Sequence, residues 1–128
     1  MGAFTNFLEN KLLDHVLKNT SYTPPTTVYV ALHTADPTEA GNVGEISGGG
    51  YIRKAATFDA AADGATSNTN KIEFPVATGN WGTITHVSIW DAESAGNPLF
   101  YGALTASKTI GSGDQFIIQI GDLDVSVD

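Results

Sequence analysis

The chain has 128 residues, no cysteine, and fourteen acidic against six basic side chains, a formal charge of −8. That length can bury roughly two-thirds of the unfolded surface in one domain without staples, so neither metal nor disulfide is required for a core. The absence of cysteine removes disulfide frameworks, thiolate zinc sites and thiol nucleophiles, and the acidic balance has the wrong sign for neutralising phosphates, which argues against nucleic acid as a partner.

The opening twenty residues, MGAFTNFLENKLLDHVLKNT, are interrupted by Asn6, Glu9, Asn10, Lys11 and Asp14 too early for a secretory leader. Nothing in the chain approaches the ~20 apolar residues of a membrane span, so no membrane partner is expected. Phe4–Lys18 is instead the one strong helix candidate. Phe4, Phe7, Leu8, Leu12 and Val16 fall on a single stripe, and Thr5 or Asn6 can cap it. Leu13 and Leu17 widen that stripe, so the helix either closes an open end of the fold or docks into a neighbouring subunit.

Pro24 and Pro25 end the helical pattern and force extended backbone. Thr27–Thr34 then alternates Val28, Val30 and Leu32 against Tyr29, Ala31 and His33, a strand pattern. Residues 35–50 lack periodicity and are rich in glycine, which predicts a long exposed loop. Tyr51–Phe58 reads as a strand, Asp59–Asn70 as turn-like, and Lys71–Val76 as a short strand with Ile72 and Phe74 inward and Pro75 at its stop.

Lys71–Asn97 holds both tryptophans, Trp81 and Trp90, and so carries the largest apolar groups in the chain. Its second half puts Val87 and Ile89 on one strand face and His86, Ser88 and Trp90 on the other, which predicts a central or covered strand. Gly79 and Gly82 permit a sharp corner beside Trp81. Leu99–Thr105, Gln115–Ile120 and Asp122–Asp128 read as further strands, the last with Leu123, Val125 and Val127 on one face. About seven short strands separated by turn signals predict a mainly β fold: an antiparallel, jelly-roll-like β-sandwich with one N-terminal α-helix. Residues 1–20 form its helical arm and residues 21–128 the sandwich, in one domain.

No catalytic set stands out. His86 and Ser88 share a face but lack a positioned acid and a nucleophile elbow, and the three histidines have no metal-ligand spacing. Asp122, Asp124 and Asp128 share a strand face, which a solvated outer surface explains more simply than a calcium site. Gly48-Gly49-Gly50 is followed by a strand rather than by the lysine and helix of a phosphate loop. Tyr22, Tyr51, Trp81 and Tyr101 could form an aromatic sugar-binding face if they are exposed together. No catalytic residue, metal ligand or cofactor is therefore assigned.

The segments FLENKLLDHVL, YTPPTTVYVALHTADPTEAG, GGGYIRKAATFDAA and NKIEFPVATGNWGTITHVSIWDAESAGNPLFYGALTASKTIGSGD resemble small tailed-bacteriophage virion proteins, often labelled tail-fibre proteins. The most specific block is Phe74, Pro75, Ala77, Thr78, Trp81, Gly82, Ile84, Thr85 and His86. In size and β pattern the chain is also similar to jelly-roll cement proteins that decorate the capsids of short-tailed phages. These resemblances imply a non-enzymatic virion structural protein, first a capsid cement or decoration protein facing solvent, alternatively a tail-fibre or baseplate component. They imply partners in the major capsid protein or other virion proteins and self-association as a dimer or trimer. Phe4, Phe7, Leu8, Leu12, Leu13, Val16, Tyr51 and Trp81 are the expected contact residues, with the Ala35–Gly50 loop beside them.

Overall fold

The computed structural model describes residues 3–127. Its spine is the predicted two-faced strand. Five antiparallel strands form the main sheet: β1 (Ala3–Phe4), β2 (Val28–His33), β3 (Lys54–Ala56), β6 (Gly82–Trp90) and β7 (Pro98–Ile110), in the order β1-β7-β6-β2-β3. β6 is the middle strand, pairing Val30 with Ile89 and Leu32 with Val87 on the β2 side and Ser88 with Tyr101 on the β7 side.

Two ribbons lie across one face of this sheet. One pairs β4 (Ala65–Ser67) with β9 (Asp124–Ser126), the other β5 (Ile72–Glu73) with β8 (Ile117–Ile118). Between the layers, Val30, Leu32, Ile84, Val87 and Ile89 meet Ile72, Phe74, Phe116, Ile118 and Val125 in one buried cluster. Phe74 and Phe116 pack edge to face there, with ring centroids 5.8 Å apart. The molecule is thus mainly β and antiparallel with one N-terminal helix, as predicted, and its second layer consists of two separate ribbons.

Local boundaries differ from expectation where pairing, rather than propensity, sets them. Phe4 joins β1 instead of opening the helix, because Ala3 and Phe4 pair with Tyr101 and Phe100. The helix α1 (Asn6–Leu17) then starts from Thr5, whose hydroxyl oxygen accepts from the Leu8 amide and whose hydrogen goes to the Pro98 carbonyl at 2.6 Å. Ala65–Ser67, within a stretch read as turn, becomes a strand because β9 lies beside it. β3 is shorter than the strand read over Tyr51–Phe58, and β7 longer than that read over Leu99–Thr105.

The expected long loop over residues 35–50 is mostly exposed, but it is tied to the sheet. It folds over the other face of the sheet. Pro37 and Gly41 are buried and the Thr34 amide donates to the Gly44 carbonyl; past them the chain runs along the β2 edge, where the Ile46 amide donates to the Leu32 carbonyl and Ile46 joins the cluster under the ribbons. Ala31, His33, Ser88 and Trp90, which point to that face, are buried as a result.

Candidate functional site

The polar groups under the residue 35–50 cover form a directed chain. His33 Nδ1 donates to the Val43 carbonyl at 2.7 Å, which leaves Nε2 to accept from the Ser88 hydroxyl at 2.6 Å. Ser88 Oγ in turn accepts from Trp90 Nε1 at 2.7 Å. Every group is satisfied and His33 and Ser88 are fully enclosed, so this serine and histidine have no path to a substrate. The serine–histidine pair read from sequence was His86 with Ser88. The strand register instead places His33 on Ser88, while His86 Nδ1 meets Thr85 Oγ1. Burial lowers the His33 imidazole below its ordinary range, opposed by its bond to the Val43 carbonyl.

A second network lies beside it. Arg53 grips Glu45 with two parallel bonds, Nε to Oε2 at 2.8 Å and Nη2 to Oε1 at 2.9 Å. Its Nη1 donates to the carbonyls of Ala92 and Ala95, and its guanidinium stacks 3.7 Å from the Trp90 ring centroid. Tyr51 donates its hydroxyl to Glu45 and accepts from the Leu32 amide. Burial raises the Glu45 carboxyl, but the bonds from Arg53 and Tyr51 outweigh it and hold the group below the usual carboxylate range. Burial, with the Glu45 charge, pushes the Tyr51 phenol strongly upward. A cleft of about 440 Å³ opens here, lined by Glu45, Tyr51, Arg53 and Glu93. Three of those four spend their polar atoms on one another or on backbone, so the cleft holds a structural clamp. Sequence reading missed Arg53 and Glu45, whose only signal was opposite charge eight residues apart.

The expected contact residues separate into two groups. Trp81 and Leu8 are 5% and 6% exposed and belong to the chain's own core. Trp81 donates Nε1–H to the Gly49 carbonyl at 2.8 Å and stands edge-on to Tyr51, which is itself half-buried. With Trp81 buried and Tyr22, Tyr51 and Tyr101 half-buried, the four aromatics are not exposed together. The Gly48-Gly49-Gly50 run supplies the seat of that indole. All three have positive φ, and a Cβ on Gly49 would lie 2.8 Å from Trp81 Nε1.

The helix carries the other group. Phe4 and Phe7 are half-buried, Phe4 lying 5.2 Å from Phe100, and Leu12 is half-buried beside them. Beyond Leu12 the helix leaves the sheet: Leu13, Val16 and Leu17 are 56%, 71% and 78% exposed. Their spacing of three and four puts them on one stripe. A hollow lined by Phe4, Glu9, Asn10, Leu12 and Leu13 runs beside it. Within the chain the helix therefore packs through its first two turns.

Asp122 and Asp124 are exposed, and Asp128 lies outside the described residues. Among the described residues no three histidine, aspartate or glutamate side chains are grouped to hold a metal ion, and no helix is long and apolar enough to cross a membrane.

The geometry thus defines a class: a mainly β, antiparallel protein with one N-terminal helix whose last turns expose Leu13, Val16 and Leu17. Residues 3–126 match the family described as Podophage GP4 fiber I protein gp80. The chain belongs to that family of phage fibre proteins, as the Phe74–His86 block implied. Among curated proteins none matches the chain.

Proposed function

We propose that the protein is a non-enzymatic structural component of a phage virion, sited in the fibre apparatus and acting through protein–protein contacts. The observation that carries this reading is the exposed Leu13–Val16–Leu17 stripe on a chain of the fibre family. Three large apolar side chains at the open end of an otherwise packed helix are a surface that a partner would cover. The partners are other virion proteins and further copies of this chain, as a dimer or trimer. Capsid cement, the first expectation from architecture, is the lesser reading, since the family description names a fibre.

The test is incorporation. A chain carrying Leu13→Asp, Val16→Asp and Leu17→Asp should fold and yet be missing from purified virions, while the parent chain is present. Normal incorporation of the triple variant would overturn the helix as the docking element.

A further inference from the structure

The first part of the cover, residues 35–45, lies on the sheet with little apolar burial and some backbone strain. Only Pro37 and Gly41 are buried along it. It turns on Thr38, a β-branched residue at a φ of 61°, where the side chain crowds its own backbone. Asp36 Oδ1 accepts from the Thr38 amide at 2.9 Å, and the Thr38 carbonyl accepts from the Gly41 amide at 2.8 Å. Strain of this kind persists only while the surroundings impose it, and it gathers at parts that move. The opposite face of the sheet is sealed by a large apolar cluster, so lifting the cover costs far less than unfolding the sheet.

What holds the cover down depends on one proton. The Val43 carbonyl can only accept, so His33 Nδ1 carries the hydrogen, and Nε2 accepts from Ser88 only while the ring is neutral. A second proton, on Nε2, would point at Ser88 Oγ, which already accepts from Trp90 Nε1. The Ser88 hydrogen would then lose its acceptor in a fully enclosed site. Burial opposes the charge first, and the groups facing the ring do not offset it. Glu45, bridged to His33, favours it but is already engaged by Arg53 and Tyr51; Arg53, and His86 opposite on β6, oppose it.

We propose that residues 35–45 are an acid-released latch: protonation of His33 lifts them from the sheet while the main sheet and the two ribbons stay folded. The release reaches helix α1. The Glu39 carbonyl accepts from the Asn6 amide at 2.9 Å, and Gly41 sits against Pro98 and Thr5, the helix cap. A lifted cover therefore frees the first amide of the helix. In this way a buried histidine sets how firmly the helix that carries Leu13, Val16 and Leu17 is seated. The latch itself requires no particular partner for that helix.

Amide exchange of the full chain followed by NMR tests this, read as protection factors so that the intrinsic effect of pH is removed. Below about pH 6.5, the ordinary histidine value, each unit of pH should lower the protection of the Thr34 and Asn6 amides about tenfold. Both amides donate to carbonyls of the cover. They should respond little to urea below the unfolding transition. The Phe74 amide, bonded to the Phe116 carbonyl in the ribbon layer, should be far better protected and fall steeply with urea. His33→Gln should flatten the pH dependence at Thr34 and Asn6. If those two amides share the protection and urea slope of Phe74 at every pH, the cover has no opening of its own and the latch is overturned. Protection that stays constant between about pH 6.5 and 5.5 overturns it too, and neither result needs a variant. A pH slope that survives His33→Gln would overturn His33 as the trigger.

Discussion

Arg53 is the residue on which the covered face of the sheet depends. Its charge meets Glu45, its remaining donors meet the Ala92 and Ala95 carbonyls, and its plane lies on Trp90. Arg53→Met should destabilise the fold by about 3 kcal/mol in urea titration, because it strands a partly buried carboxylate. Glu45→Gln in the same chain should recover part of that loss. Arg53→Lys should not rescue, since an ammonium cannot make the bidentate grip or the stack. Two neighbouring groups set the acid limit. His33 is held below its ordinary range, so between its folded and unfolded pKa the unfolded chain binds more protons. Its contribution is therefore complete above about pH 6.5 and is lost as pH falls below that. Glu45 is also depressed, so its contribution is present above the unfolded value near 4.5 and is lost as pH falls through the folded one. The melting temperature should fall in two stages on acidification, and His33→Gln should remove the upper stage. A parent curve that is flat from pH 7 to 5 would contradict this account of His33.

At the scale of elements, the loop over residues 35–50 shows what a single sequence can reveal. The alternation in Thr83–Asp91 announced a strand buried on both faces, because period-two patterning is local and each face carries its own large side chains. The cover over one of those faces was illegible. Its order comes from Glu45 reaching Arg53, Val43 capping His33 and Gly49 meeting Trp81, contacts eight, ten and 32 residues apart that leave no periodic signal in the sequence. The short β4 strand was hidden for the same reason: Ala65, Thr66 and Ser67 have little strand signal and depend on β9 from the far end of the chain. The helix itself was legible from its three-and-four spacing, whereas which of its turns the sheet would cover was not. Gly49→Ala tests the loop as a structural seat. It combines a positive φ of 60° with a clash against the indole, and should cost about 2 kcal/mol with an altered tryptophan emission. Leu13→Asp at the open end of the helix should instead change stability by less than about 0.5 kcal/mol, since its side chain is mostly in solvent.

At the scale of the molecule, the two sheet faces are closed by different means. Ribbons β4–β9 and β5–β8 seal one with apolar side chains, and the residue 35–50 cover seals the other with polar networks and an aromatic stack. Among the described residues, the far end of the helix and the outer edge of β7 beyond β1 are exposed. Localising the chain by electron cryomicroscopy of the intact virion, with and without a small tag at an exposed loop such as Ala60–Asp63, tests the proposed function most directly. The account predicts density for the chain within the tail fibres, its helix end against a neighbouring virion protein. Density confined to the capsid shell, or a chain absent from the particle, would contradict it.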